Sequence, residues 1–137
     1  MNPFIKRLTC WPKGLIAFFA VCCLVSCTGS GYTIIYHEGA QQEELLAVKD
    51  LQRYLYQLTG KLPRLKTFGT DQRLSVDKKS ILVLNASTAG SLHGILPEEQ
   101  MNKIYAMGDE DYLLASLEGD RLLIVGRQAE GTLYGVY

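Results

Sequence analysis

Apolar residues recur with two different periods along this chain, and each change of period marks an element. Tyr32-Thr-Ile-Ile-Tyr-His37 is β-branched and aromatic and runs into Glu38-Gly39, the pattern of a strand closed by a turn. Across residues 41–59 the spacing becomes three and four. Leu45, Val48, Leu51, Leu55 and Leu58 form one stripe with Leu46 and Tyr54 beside it, while Glu44, Lys49, Gln52, Arg53 and Gln57 fill the other side. An amphipathic helix is expected there, ended by Gly60 in a left-handed cap. Lys61-Leu-Pro-Arg-Leu65 is expected to be extended, because Pro63 restricts Leu62 to β-like angles.

Residues 69–79 are polar and read as a loop. Ser80-Ile-Leu-Val-Leu-Asn85 is a continuous apolar run of strand length, of the kind that a sheet covered on both faces buries. Residues 86–94 are small and polar and read as a connecting loop. Residues 97–104 suit a short helix with Pro97 in its first turn. Residues 111–117 and 121–125 are two apolar runs joined by Glu118-Gly-Asp120, which predicts an antiparallel hairpin. Arg127-Gln-Ala then leads into the first turns of a last helix. The order is strand, helix, extended piece, strand, small helix, hairpin, helix. It predicts one α+β domain over residues 32–137, a mixed sheet with helices packed on one face.

The first 26 residues follow a different rule. Lys6, Arg7 and Lys13 precede Leu15-Ile-Ala-Phe-Phe-Ala-Val-Cys-Cys-Leu-Val25, an apolar run much shorter than the ~20 residues that span a bilayer as a helix. That is the pattern of an export signal. Leu24-Val25-Ser26-Cys27 resembles the bacterial lipobox, and the resemblance implies cleavage before Cys27 and lipid on its sulfur. Residues 1–26 are then the signal peptide and residues 27–31 a lipidated Gly- and Ser-containing tether. The expected location is outside the cytoplasm, lipid-anchored to a bacterial membrane, with Thr28 pointing to the outer membrane.

This division changes the reading of charge and cysteine. The chain holds 14 basic and 14 acidic residues, but the signal takes three bases and no acid, so the remainder is mildly acidic. Such a body lacks the surplus of Lys and Arg that neutralises phosphates, and nucleic acid is not an expected partner. Cys10, Cys22 and Cys23 fall within the signal, which leaves Cys27 alone. No disulfide and no thiolate zinc cluster is expected in the mature chain.

Candidate chemistry is sparse. His37-Glu38 opens like a zinc-protease helix, but Gln41 stands where the second histidine belongs, and His93 lies apart in a Ser-Leu-His-Gly loop. No metal or cofactor is expected. Gly126 and Gly131 have the spacing of half a phosphate-binding loop, yet Thr132 occupies the lysine position. Gly131 and Gly135 read more simply as allowing a helix to lie close to a sheet. Ser91 is not in a nucleophile elbow. Glu43-Glu44, Glu98-Glu99 and Asp109-Glu110-Asp111 are adjacent carboxylates, whereas glycoside hydrolysis needs two that face each other across a bond, about 5–10 Å apart. No catalytic residue is assigned.

Three ordered blocks carry a family resemblance. "EELLAVKDLQRYLYQLTGKLP" from Glu43, "SILVLN" from Ser80 and "DYLLASLEGDRLLIVGRQAEGTLYGVY" from Asp111 together resemble the domain that precedes the catalytic barrel in bacterial α-glucuronidases. The second domain of β-N-acetylhexosaminidases is similar. The resemblance implies a sheet with helices on one side, similar to zinc metallopeptidases without their metal site. It also implies an accessory role beside a (β/α)₈ barrel that supplies the catalytic carboxylates. None of that barrel is in these residues, so no catalytic position is carried over. In the family the last helix continues for several turns. Here it has barely two, marginal in water without packing, and the chain is expected to be a fragment of a longer exported glycoside hydrolase. The alternative is a self-sufficient surface lipoprotein that binds glycan through Tyr36, Tyr105 and Tyr134. A structural or interaction module on the cell surface is a third reading.

Overall fold

The computed structural model describes residues 31–69, 74 and 76–137. The signal peptide, Cys27 and all of the tether except Gly31 lie outside them. Among the described residues there are five strands: β1 Thr33–His37, β2 Arg64–Phe68, β3 Ser80–Asn85, β4 Tyr112–Leu117 and β5 Arg121–Gly126. They form one mixed sheet in the order β2-β1-β3-β5-β4. The first four in that order are parallel, and β4 pairs antiparallel with β5. The helices are α1 Gln42–Thr59, α2 Glu98–Tyr105 and α3 Ala129–Val136, with a short 3-10 helix at Ala89–Leu92.

Local chemistry sets the ends of these elements. At the start of α1 the Glu44 carboxylate turns back to accept the Gln41 backbone N–H at 2.9 Å, satisfying one of the donors that a helix start leaves open. Glu44 is consequently 3 % exposed, not on the solvent face that its place in the pattern suggested. At the other end Gly60 sits at φ 66, and its N–H donates to the Tyr56 carbonyl at 2.8 Å, the expected left-handed cap. The hairpin turn places Gly119 at φ 76 and Asp120 at φ 59, a region open to glycine and tolerated by aspartate. Residues 86–94, expected as plain loop, contain the 3-10 helix, and β2 begins at Arg64 and continues to Phe68, past the extended piece the sequence suggested.

The expectation of helices on one face is corrected by the packing. On one side α1 contributes Val48, Leu51 and Leu55 and α3 contributes Val136, against Ile34, Ile81, Val83 and Ile124 of the sheet. On the other side Met101 and Ile104 of α2, with Ala89 and Leu92, cover Ile35, Leu82, Leu84, Leu123 and Val125. The cause is the central strand. All six residues of β3 are buried. Alternate side chains of a strand point to opposite faces, so a strand apolar throughout needs cover on both. Each of its four large aliphatic side chains contributes about 1.5–3 kcal/mol by leaving water. A second correction concerns Leu58, which is 83 % exposed. Residues 56–60 are all exposed, so the apolar stripe of α1 outlasts the surface it packs on.

Candidate functional site

In sheets of this kind ligands usually sit beyond the carboxyl ends of the parallel strands, and His37, Glu38, Asn85 and Ser91 lie at two of those ends or in the loops that follow. His37 closes β1. Its Nδ1 accepts the Gly39 N–H at 3.1 Å, and its ring meets Phe68 edge-on at 5.3 Å between centroids. The Glu38 N–H donates to the Phe68 carbonyl at 3.0 Å, which ties the end of β1 to the end of β2. After β3, Asn85 Oδ1 accepts the Ser87 hydroxyl at 2.6 Å and the Thr88 N–H at 3.2 Å. Ser91 donates to the Thr88 carbonyl at 2.8 Å. These side chains fold the loops back on themselves. Among the described residues no three His, Cys, Asp or Glu side chains gather in a metal-binding group.

The glycine pair after β5 joins a helix to the sheet. A Cβ on Gly126 would lie 2.0 Å from the Thr132 nitrogen, and one on Gly131 would lie 2.5 Å from the Asp111 carbonyl oxygen. The Thr132 N–H is spent on the Gln128 carbonyl at 3.1 Å, inside the helix. Its hydroxyl, fully buried, donates to the Leu84 carbonyl at 2.9 Å and so pins α3 to β3. Helix–sheet contact, the simpler of the two sequence readings, is what these glycines permit.

The carboxylate pairs do not converge. Glu44 caps α1, Glu99 pairs with Lys103 at 2.8 Å, and Asp111 Oδ2 accepts the Gly108 N–H at 2.8 Å. The neighbouring ammonium holds the Glu99 carboxyl below its usual range. The three tyrosines do not share a surface either. Tyr36 packs on the face covered by α1 and α3, and Tyr134 belongs to α3 itself. Tyr105 ends α2 on the opposite face, where its carbonyl accepts from Arg127 Nη1 at 3.2 Å. The Tyr137 hydroxyl donates to Asp50, a contact that raises the phenol above its ordinary range and ties the end of α3 to α1.

What the geometry does assemble is an unguarded edge. Exposed edge strands are normally blunted by charge or proline, because their open backbone groups invite another strand. β2, at one edge, carries Arg64 and Lys66. β4, at the other, reads Tyr-Leu-Leu-Ala-Ser-Leu with no charge within it. Its two faces part company. Leu113, Ala115 and Leu117 pack toward the α2 side, while Tyr112 and Leu114 remain about half exposed; α3 lies against Tyr112 at Gly135, and its Tyr134 is equally exposed. The sequence displayed this strand but not its position in the sheet, so the missing edge protection could not be read from it. No protein-family model matches the chain, and no characterised protein matches its sequence.

Proposed function

We propose that residues 32–137 form a non-catalytic accessory domain of an exported glycoside hydrolase acting on polysaccharides, such as an α-glucuronidase or a β-N-acetylhexosaminidase. On this reading its mixed sheet corresponds to that of a hexosaminidase-like domain, apart from the helical cover on both faces. Its partner is a (β/α)₈ catalytic barrel, and lipid on Cys27 holds it to the bacterial outer membrane. The reading draws on the three-block resemblance. The observation that carries it is the β4 edge, uncharged, with Tyr112 and Leu114 about half exposed on it and Tyr134 exposed on the adjoining α3, a surface suited to packing against a second body.

Two outcomes follow. Sedimentation of the full chain should show concentration-dependent association that Leu114→Lys with Tyr134→Lys suppresses while leaving the melting temperature within a few degrees of wild type. The same chain should release no phenol from aryl-glucuronides or aryl-N-acetylhexosaminides. Association indifferent to the double substitution, or turnover abolished by replacing one carboxylate, would contradict the proposal. Separately, Cys27→Ala should abolish labelling of the expressed protein by a fatty-acid probe, and a variant that still takes the label would remove the anchor from the proposal.

A further inference from the structure

The end of the domain where the chain enters carries its two most exposed leucines. β1 and β2 run parallel with Thr33 opposite Arg64, and α1 returns between them, so both strand starts and the last turn of α1 share one end of the sheet. Leu58, 83 % exposed, and Leu62, 65 % exposed, stand on either side of the cap at Gly60. Exposed leucines scattered singly are ordinary, whereas a pair at one end of a domain raises the question of what covers it.

The tether arrives at the same place. A Cβ on Gly31 would lie 3.8 Å from Lys61 Cβ and 3.9 Å from the Leu62 carbonyl oxygen, so Gly31 lies against the segment that carries Leu62. The next two residues are held on both sides. The Arg64 N–H donates to the Tyr32 carbonyl at 3.0 Å, and the Thr33 N–H donates to the Lys79 carbonyl at 3.1 Å. Thr28 to Gly31 carry the chain from Cys27 to this point, and so few extended residues span at most ~14 Å. Lipid on Cys27 therefore keeps the Leu62 segment close to the headgroups, where even a weak contact works at high effective concentration.

Charge divides along the same axis. Lys61, Arg64, Lys78 and Lys79 surround the entry point, with Asp77 as the acid among them. Glu118 and Asp120 lie at this end too, but beyond β3 at the β4–β5 turn and beside Arg121. Glu38, Glu43, Asp111 and Glu130 lie at the opposite end: after β1, in the first turn of α1, before β4 and in the first turn of α3. In a mildly acidic body, basic groups thus gather where the tether attaches. Bases beside exposed hydrocarbon match the surface of an anionic bilayer. The cations meet phosphates, and the leucines enter the boundary between headgroups and acyl chains.

We propose that Leu58 and Leu62, with Arg64, Lys78 and Lys79, rest on an anionic phospholipid surface. This contact turns the carboxyl ends of the parallel strands away from the bilayer and leaves the β4 edge at the side. The inference rests on the lipid anchor at Cys27 proposed above.

The test uses the exported chain carrying the fatty-acid label, reconstituted in vesicles of phosphatidylethanolamine and phosphatidylglycerol. Trp11 is the only tryptophan of the sequence and lies in the signal, so Leu62→Trp gives the processed chain a single one. Bromine on the lipid acyl chains should quench its fluorescence about twofold or more, while Glu130→Trp, at the other end, should be barely quenched. Adding Arg64→Ser and Lys78→Ser, both at exposed positions, should remove most of the quenching with the melting temperature within a few degrees of the parent. Replacing the lipids by phosphatidylcholine should do the same. Equal quenching at the two positions, or quenching indifferent to both changes of charge, overturns the proposal. So does a Leu62→Trp emission that moves to the blue with protein concentration and ignores bromine, which would assign the leucines to a second copy of the chain. A labelled chain that gives no quenching refutes the membrane contact alone, whereas absence of the label removes the anchor and the contact with it.

Discussion

Gly126→Ala is expected to be among the most damaging single substitutions in this domain, lowering stability by about 3 kcal/mol or more in urea denaturation. Inserting a methyl into a packed site typically costs ~1–3 kcal/mol and occasionally more, and the upper end applies when the obstacle is backbone. Here the new Cβ would stand 2.0 Å from the Thr132 nitrogen, 2.4 Å from the Gly131 carbonyl carbon and 2.6 Å from Thr132 Oγ1. No rotamer change relieves the first two contacts. Either the first turn of α3 lifts away, breaking the Thr132–Leu84 hydrogen bond and opening the apolar layer beneath it, or the end of β5 leaves its register. Gly131→Ala meets the Asp111 carbonyl oxygen at 2.5 Å and should be the next worst. Gly135→Ala meets side chains at 3.0 Å and beyond, which can give way, and should cost less. Gly90→Ala meets nothing within 4 Å and is the control, with a change within about 0.5 kcal/mol. An equal effect at Gly90 and Gly126 would mean that α3 does not lie on the sheet in this way.

That contact shows how far sequence reasoning reached. The spacing of Gly131 and Gly135 with a strand just before them was enough to anticipate a helix lying close to the sheet. The closest approach, at Gly126, was not anticipated, because it depends on how sharply the chain turns between β5 and α3. Periodicity was reliable for α1, for the hairpin and for β3, where one dominant pattern repeats without a competing one. It failed at Glu44 and Leu58. Both obey the helical pattern, but the first is claimed by the open N–H of Gln41 and the second lies beyond the surface that α1 covers. Pattern assigns a residue to a side of a helix. It does not say whether a neighbour extends that far.

The functional features were less legible for a related reason. His37, Asn85 and Ser91 attract notice because their side chains can do chemistry, yet each is engaged in shaping its own loop or strand end, and Glu38 ties the end of β1 to β2 through its backbone N–H. The surface that carries the proposed function is a product of topology instead. β4 is an unguarded edge only because the chain places β5 between it and β3. That relation has no local signature. The sheet's two-sided cover is the intermediate case. Ser80-Ile-Leu-Val-Leu-Asn85 signalled a strand buried on both faces, while the family resemblance pointed to helices on one, and the strand's own composition was the better guide.

Ile104→Ala tests that second layer. Ile104 is fully buried in α2, a helix of only eight residues that would be marginal alone, so its attachment rests on Met101 and Ile104 inserted among Leu82, Leu84, Leu123 and Val125. Truncating a buried Ile to Ala costs about 2–5 kcal/mol, from lost transfer energy and the cavity left behind. The loss here should fall in the upper half of that range. The vacated space lies against β3 and β5, whose positions are fixed by pairing on both sides, so the site cannot close by collapse. Leu58→Ala, removing a side chain of similar size from an exposed position, should change stability by less than about 0.5 kcal/mol. Parallel denaturant titrations of the two variants give the comparison. If helices covered one face only, the two losses would be alike. A difference of several kcal/mol requires that α2 be the other half of the core.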